Sequence, residues 1–191
     1  MPTAYIALGA NIPGPAGPPE ATLAAAADGL GAVGRVVCRS SLYSTAPVGF
    51  ADQPRFVNAV VELETVLAPR ELLGELLRIE REFGRDRSAG IPNGPRTLDL
   101  DILLYGDRVV REAGLEIPHP RLAERAFVLV PLNEIASNVV VVTQHQTVQQ
   151  LLHSLRSGSE SDAILPLPSS LWRPGLCGDG GVRSDARDRH R

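Results

Sequence analysis

Apolar and polar residues repeat along this chain with two different periods, and these periods predict a series of strands and helices. From Arg55 to Thr65 the side chains alternate one by one, as in a strand with one buried face. After Pro69 the apolar residues recur at spacings of four, three and four, which is typical of an amphipathic helix. The predicted elements are strands at 5–9, 36–43, 55–65 and 98–104, and helices at 20–30, from 69, at 126–135 and at 147–155.

The order of these elements predicts the fold. Strand, helix, strand, strand, helix, strand is the ferredoxin-like arrangement, an α+β fold with an antiparallel sheet and helices packed on one of its faces. Residues 1–156 are expected to form this domain. From 157 to 191 Ser, Gly, Pro and Arg dominate, so this stretch is predicted to be a disordered tail that can be removed without loss of activity. The alternative is that Leu165 to Trp172 form a docking motif within it.

Composition limits the classes of function. The 191 residues are 43% hydrophobic and carry a net charge of −3, which argues against a nucleic-acid binder. The chain has no apolar run of about 18 residues and no signal-like N-terminus, so we expect a cytoplasmic protein that does not contact membranes. Cys38 and Cys177 are too few for a metal cluster. A disulfide framework is not expected, and Cys38 is predicted to be a small buried apolar residue.

One segment, 93–103, carries most of the chemical information. A Gly-Pro turn presents Arg96 and leads into a strand on which Asp99 and Asp101 alternate with apolar residues. Both carboxylates should project from one face of the strand, with their Cα atoms roughly 6.5–7 Å apart. Carboxylates at this spacing can hold two Mg²⁺ ions for phosphoryl transfer. The neighbours expected to enter the core from the other face are Leu98, Leu100, Ile102 and Leu104.

An Asp-x-Asp pair alone is more often a solvated strand face than a metal site. Two observations favour the metal site here. Asp is disfavoured in strands. Five arginines also fall within a stretch of nineteen residues that ends just before the two aspartates, at positions 78, 81, 85, 87 and 96. Cations beside carboxylates suit a magnesium–polyphosphate complex. Glu80 is expected at the edge of the core, where it could orient a nearby arginine.

Four blocks of residues, in a fixed order, resemble the 6-hydroxymethyl-7,8-dihydropterin pyrophosphokinase family of folate biosynthesis. The third of them, Gly-Pro-Arg-Thr-Leu-Asp-Leu-Asp-Ile, is highly specific. The resemblance extends from Tyr5 to about Leu155 and implies Mg²⁺-dependent transfer of pyrophosphate from ATP to the pterin hydroxymethyl group, with release of AMP. The blocks are 5–11, 44–49 with 52–58, 94–102, and 117–121 with 125–127.

The resemblance also implies a role for particular residues. The two-magnesium ligands fall on Asp99 and Asp101, and Arg85 and Arg96 are expected to stabilise charge on the transferred group. The ATP contacts fall on Arg85, Arg87, Arg96, Ile102, His119 and Arg125. The pterin contacts fall on Thr45, the Val48 backbone, Phe56, Asn58 and Phe127, with the two phenylalanines clamping the ring. A general base is not identified.

Two features depart from the family pattern. Asn93 stands where some relatives carry a tryptophan, and Phe56 stands where a tyrosine often occurs. The loops at 45–54 and 84–93 are expected to close over ATP as lids. Two other readings stay open on the residues alone: a different Mg²⁺-dependent phosphoryl or nucleotidyl transferase, and a non-enzymatic ligand-binding module. We expect a monomer that takes small-molecule substrates.

Overall fold

The computed structural model describes residues 1–87, 94–156 and 164–175. The strands are β1 (Thr3–Ala10), β2 (Arg35–Arg39), β3 (Tyr43–Thr45), β4 (Phe56–Glu64), β5 (Asp99–Tyr105), β6 (Val110–Glu112), β7 (Leu115–Ile117), β8 (Val140–Val141), β9 (Gln146–Thr147) and β10 (Leu165–Pro166). The helices are α1 (Pro19–Gly29), α2 (Pro69–Glu82), α3 (Ala126–Ala136) and α4 (Val148–Arg156). Short 3-10 turns lie at Leu30–Ala32 and Leu122–Glu124.

The main sheet confirms the predicted α+β topology. Six strands pair antiparallel in the order β10-β3-β4-β1-β5, and β2 also pairs with β4. The two central strands are β1 and β4, which are joined in register from Thr3 opposite Glu64 to Ala10 opposite Val57. The helix α2 begins at Pro69. Proline has no amide hydrogen, and this has no cost in the first turn because the amides there have no acceptor within the helix.

Helices cover both faces of the sheet, whereas the sequence predicted only one covered face. On one face α1 and α2 contribute residues such as Leu23 and Leu76 to the larger core. On the other face α3 and α4 contribute residues such as Leu129 and Leu152 to a second core. The β4 residues divide between them: Val61 belongs to the first core and Val60 to the second. Both faces of the sheet centre are therefore covered.

The strand predicted at 36–43 is divided into β2 and β3, and the interruption is centred on Ser40. The Ser40 amide donates to the Val60 carbonyl at 2.9 Å, and the Val60 amide donates to the Ser40 hydroxyl at 2.9 Å. A side-chain oxygen therefore replaces a backbone carbonyl in the ladder. This exchange lets β2 and β3 pair with different parts of the same strand, β4.

The alternation predicted for β5 fails at its end. Leu98, Leu100 and Ile102 enter the first core as expected, but Leu104 belongs to the second core. The pairing register with β1 shifts between Tyr5 and Ile6, so that Tyr5 lies opposite Leu104 while Ile6 lies opposite Ile102. An extra residue in one strand reverses the face of every side chain beyond it.

The tail prediction needs correction for residues 164–175. Leu165 and Pro166 form β10, which pairs with β3, and Trp172 is 3% exposed within the first core. The tail is polar on average, but it contains one large aromatic side chain, Trp172, that packs in the first core. The predicted domain boundary at 156 stays a prediction, and residues 157–163 and 176–191 lie outside the described residues.

Cys38 also differs from expectation. It is buried, as predicted, but it is disulfide-bonded rather than a free thiol. Its sulfur also lies 3.7 Å from the carbonyl oxygen of Gly175.

Candidate active site

A single row of paired residues crosses five strands and lines one large cavity. The cavity volume is about 730 Å³. Backbone pairing places the members of this row side by side in the order Pro166, Tyr43, Asn58, Gly9 and Asp99, and all of them line the cavity. Adjacent strands lie about 4.8 Å apart, so the row is roughly 19 Å long. Ten predicted site residues line this cavity: Thr45, Val48, Phe56, Asn58, Arg96, Asp99, Asp101, His119, Arg125 and Phe127.

Asp99 and Asp101 project into the cavity from the same face of β5, as the alternation predicted. Burial, with a further contribution from the neighbouring charge of Asp99, raises the pKa of Asp101 to about 6. A carboxylate that is costly to ionise in the protein alone is stabilised by a bound cation.

The cavity supplies two carboxylate ligands for Mg²⁺, Asp99 and Asp101, and these do not fill the coordination sphere of the ion alone. Within the described ranges, no group of three or more His, Cys, Asp or Glu side chains is placed to hold a metal ion. Two carboxylates are nevertheless sufficient for Mg²⁺, since this ion commonly keeps several waters and takes the remaining oxygens from substrate phosphates. The residues present therefore fit a metal that arrives with, or is completed by, a polyphosphate.

Arginines surround Asp99. Arg85 donates to one carboxylate oxygen of Asp99 and, at 2.8 Å, to the carbonyl of Leu98. Arg96 donates to the other carboxylate oxygen at 2.6 Å. The Nε atom of Arg96 is buried and has no hydrogen-bond acceptor in the described part of the chain. A buried guanidinium donor of this kind is suited to an anionic ligand.

Glu80 was predicted at the edge of the core, but it is fully buried, with 1% exposure. It accepts a hydrogen bond from the Leu100 amide at 2.8 Å and three from Arg87, the shortest at 2.7 Å. It also lies 3.4 Å from Arg85. Burial raises the pKa of Glu80, and the Leu100 amide and the two arginines oppose that shift. The suggestion that Glu80 orients an arginine is therefore confirmed, and it applies to two of them.

Arg87 lies at the margin of this cluster. Its guanidinium is paired with Glu80 and lies 4.0 Å from Asp99, and about half of its side chain is exposed. Neither Arg85 nor Arg87 lines the cavity itself. Asn93 and most of the predicted lid at 84–93 lie outside the described residues.

Ile102, expected beside adenine, does not reach the cavity. Its side chain is 5% exposed and belongs to the first core, on the face of β5 opposite the two aspartates. The period-two alternation that places the aspartates in the cavity also removes Ile102 from it.

His119 and Arg125 also line the cavity. A cis peptide bond joins Ile117 to Pro118, directly before His119. The Nδ1 atom of His119 accepts a hydrogen bond from the Arg121 amide at 3.2 Å. Burial, followed by the nearby charge of Arg125, lowers the pKa of His119 to about 4. The imidazole is therefore neutral at physiological pH.

The other end of the cavity is held by neutral contacts. Asn58 is 8% exposed and its amide nitrogen donates to the Thr45 hydroxyl at 2.7 Å. The rings of Phe56 and Phe127 both line this end. The guanidinium of Arg96 lies 5.1 Å from the centre of the Phe56 ring, and that of Arg125 lies 5.7 Å from the Phe127 ring. Two aromatic rings and an amide define a place for a flat polar heterocycle.

Sequence reasoning missed Gly9. It lies between Asn58 on β4 and Asp99 on β5, and a Cβ atom there would come within 3.0 Å of the Asn58 side-chain oxygen. Because Gly9 has no side chain, nothing projects into the cavity between Asn58 and Asp99, and the two parts of the cavity are joined. The available signal was a glycine at the end of a buried strand, which often marks a close approach.

Asn11 was also missed. It is 3% exposed, and its side-chain oxygen accepts a hydrogen bond from the Arg96 amide at 2.8 Å. Its amide nitrogen donates to Gln53 at 2.9 Å and to the Pro54 carbonyl at 3.1 Å. One side chain therefore joins the turn that presents Arg96 to the loop at 45–54.

These features define a class of protein: an α+β enzyme whose pocket joins a flat-ring subsite to a carboxylate–arginine cluster suited to a polyphosphate. The model of the 7,8-dihydro-6-hydroxymethylpterin-pyrophosphokinase family matches residues 5–137. The chain belongs to this family and is a pyrophosphokinase.

Individual relatives agree. The 2-amino-4-hydroxy-6-hydroxymethyldihydropteridine pyrophosphokinase of Haemophilus influenzae is 48% identical over 141 residues, which cover 74% of this chain and 86% of that protein. The enzyme of the same name from Pseudomonas aeruginosa is 45% identical over 137 residues, covering 71% and 81%. The crystal structure of wild-type Plasmodium falciparum HPPK-DHPS matches with a TM-score of 0.63 at 15% identity, which supports the fold alone. That match covers 82% of this chain and 45% of the other.

Proposed function

We propose that the cavity binds ATP and 6-hydroxymethyl-7,8-dihydropterin together and divides them between its charged and neutral ends. The reaction of the enzyme is transfer of pyrophosphate from ATP to the pterin hydroxymethyl group, which gives AMP and the pterin diphosphate. One observation carries the assignment: Asn58 and Asp99 are both paired with Gly9 and lie two strand spacings, about 10 Å, apart. A ring held at Asn58 directs a short substituent toward the carboxylates.

At the charged end Asp99 and Asp101 would hold two Mg²⁺ ions, which would supply neutralisation of phosphate charge and a lower pKa for the attacking hydroxyl. Arg85 and Arg96 turn from Asp99 toward the phosphates and stabilise the charge on the transferred group, while Arg87 contributes from the margin. The buried, unpaired Nε of Arg96 supports this exchange.

His119 and Arg125 contact the triphosphate and nucleotide. Because His119 is neutral at physiological pH, it acts as a hydrogen-bond partner rather than as a cation. Arg125 supplies the positive charge instead, and burial lowers its pKa without removing that charge. Ile102 supports the site from the core and does not contact the nucleotide through its side chain.

At the neutral end the pterin ring lies between Phe56 and Phe127. Asn58 forms hydrogen bonds with the polar edge of the ring. Its amide nitrogen donates to the Thr45 hydroxyl at 2.7 Å, which holds the amide in a fixed orientation. The Val48 backbone completes this edge. A buried amide that would otherwise lack a partner rejects flat rings without matching donors and acceptors.

Little covalent work is left to the protein in this scheme. The hydroxymethyl oxygen attacks the β-phosphorus in line, the bond to the α-phosphate oxygen breaks, and AMP leaves. Positioning and charge neutralisation therefore supply most of the acceleration. We also propose that the protein acts as a cytoplasmic monomer on small molecules and not on nucleic acid. Among the described residues, none of the helices is long and apolar enough to span a bilayer.

The test is an assay for AMP in which ATP, Mg²⁺ and 6-hydroxymethyl-7,8-dihydropterin are omitted in turn. We expect AMP only when all three are present. Formation of ADP instead would favour a simple phosphotransferase that uses the same carboxylates. No nucleotide turnover by folded protein would contradict the proposal and favour a binding module.

A further inference from the structure

Residues 164–175, here named the docked segment, extend the sheet beyond β3. Leu165 lies opposite Ser44 and Pro166 opposite Tyr43 in an antiparallel pair. The Leu167 amide continues the ladder with a 2.8 Å hydrogen bond to the Leu42 carbonyl. Without this segment β3 would be an edge strand paired on one side only, and β3 carries Thr45, the partner of Asn58.

The docked segment is anchored by Trp172. This side chain is 3% exposed and packs in the first core, and its indole nitrogen donates to the Ser40 carbonyl at 2.7 Å. The guanidinium of Arg39 lies 5.5 Å from the centre of the indole ring. The Gly175 amide donates to the Arg39 carbonyl at 3.2 Å. A buried ring with a satisfied N–H group fixes the segment in one place.

The opposite end of the docked segment reaches the cavity. Ile164 and Pro166 line it, and Pro166 is the last member of the row that passes through Asn58 to Asp99. At about 4.8 Å per strand, Pro166 lies roughly 10 Å from Asn58 and roughly 19 Å from Asp99. The segment therefore adjoins the neutral end of the cavity and is remote from the carboxylates.

We propose that the docked segment forms the outer wall of the pterin end, and that Ile164 determines how tightly the pterin is held. The half-buried Ile164 side chain excludes water from the neutral end, while pairing with β10 fixes the strand that positions Thr45. This inference rests on the proposed function, since it assigns a ligand to the neutral end. It replaces the expectation that the chain can be cut after Arg156 without effect.

The experiment compares the full-length Ile164→Ala variant with the wild type in the AMP assay, varying pterin and ATP separately. We expect the KM for pterin to rise about 3- to 10-fold, while the KM for ATP and kcat stay within twofold, because only one end of the cavity changes. Leu171→Ala is the matched control. Leu171 belongs to the same segment but is 58% exposed and does not line the cavity, so its variant should behave as the wild type.

A second pair of variants tests the anchor. Trp172→Ala should raise the KM for pterin at least as much as Ile164→Ala, whereas Trp172→Phe, which keeps a buried ring, should raise it less. An unchanged pterin KM in Ile164→Ala, or an equal rise in both KM values, would overturn the proposal even if Trp172→Ala fails to fold. Wild-type protein that forms no AMP would instead refute the proposed function, and this inference with it.

Discussion

The two ends of the cavity are built in different ways. At the charged end Asp99, Arg85, Arg96 and Glu80 are paired with one another inside the protein. At the neutral end Asn58 is fixed by a hydroxyl on the neighbouring strand, and the strands themselves are held by their backbone ladders. At the charged end most of the polar groups are therefore satisfied by one another, apart from the Nε atom of Arg96, which has no acceptor among the described residues. At the neutral end a single side-chain hydrogen bond, from Asn58 to Thr45, sets the geometry.

This difference predicts that the two substrates bind in different ways. Arg85 and Arg96 neutralise Asp99 in the protein alone, so metal and phosphate must exchange partners with existing ion pairs. Their binding is expected to involve side-chain rearrangement at the charged end. The pterin end needs no such exchange, because Thr45 and Asn58 are already in place. Changes at the charged end should therefore affect turnover, and changes at the neutral end should affect pterin affinity.

The largest effect is expected from Asp99→Ala and Asp101→Ala. Either change removes an oxygen ligand that Mg²⁺ requires, and we expect kcat to fall about 10³-fold or more while circular dichroism shows an intact fold. The AMP assay measures the loss. Asp107→Ala is the control, because Asp107 is an exposed acid in the turn after β5. A rate near that of the wild type in either variant would contradict the metal assignment.

The next effect is expected at the neutral end. Asn58→Ala removes the group that reads the pterin edge and leaves the Thr45 hydroxyl without its donor, so the KM for pterin should rise about 10- to 100-fold. The KM for ATP should change less than threefold. Steady-state kinetics with each substrate varied separately make the measurement, and Asn138→Ala, at an exposed position after α3, serves as control. Parallel increases in both KM values would show that the two ends are not independent.

A smaller effect concerns stability, and it separates Asp101 from ordinary core residues. The pKa of Asp101 is raised from 3.8 to about 6 in the folded protein. The folded state therefore binds the proton more tightly than the unfolded state does. This stabilisation is fully present below about pH 4 and is lost as pH rises through 6. Above pH 7 the ionised carboxylate costs on the order of 2–3 kcal/mol.

Asp101→Asn should accordingly abolish turnover and yet stabilise the metal-free protein. We expect the free energy of unfolding at pH 8, with a chelator present, to increase by about 1–3 kcal/mol, and the gain to disappear near pH 4. Urea unfolding at the two pH values makes the comparison. Equal stability of the variant and the wild type at pH 8 would show that Arg85 and Arg125 already compensate the Asp101 charge.

The sequence predicted those parts of the molecule that depend on local periodicity. Alternation on β5 was sufficient to place Asp99 and Asp101 on one face and Leu100 on the other. It failed at Leu104, because the β-bulge depends on pairing with β1 and has no local signal. The family resemblance placed Ile102 beside the nucleotide, and the alternation on β5 places its side chain in the first core.

The features that sequence reasoning missed depend on contacts between distant residues. Glu80 is buried because the Leu100 amide, twenty positions later, and two arginines satisfy it. Gly9 matters only because β4 and β5 bring Asn58 and Asp99 to either side of it. The position of Trp172 depends on its packing in the first core and on the Ser40 carbonyl that accepts its indole N–H group, which the composition of the tail cannot indicate.

The smallest effect is expected from Phe56→Tyr, which tests how far the neutral end depends on stacking alone. This substitution adds a hydroxyl but keeps the aromatic ring, whose centre lies 5.1 Å from the Arg96 guanidinium. The KM for pterin should therefore change less than threefold. Phe56→Ala removes the ring and should raise that KM about tenfold or more. The same kinetics measure both variants. If Phe56→Ala instead lowered kcat with an unchanged pterin KM, the ring would act mainly by holding Arg96 at the charged end, and the division of the cavity into two independent ends would not hold.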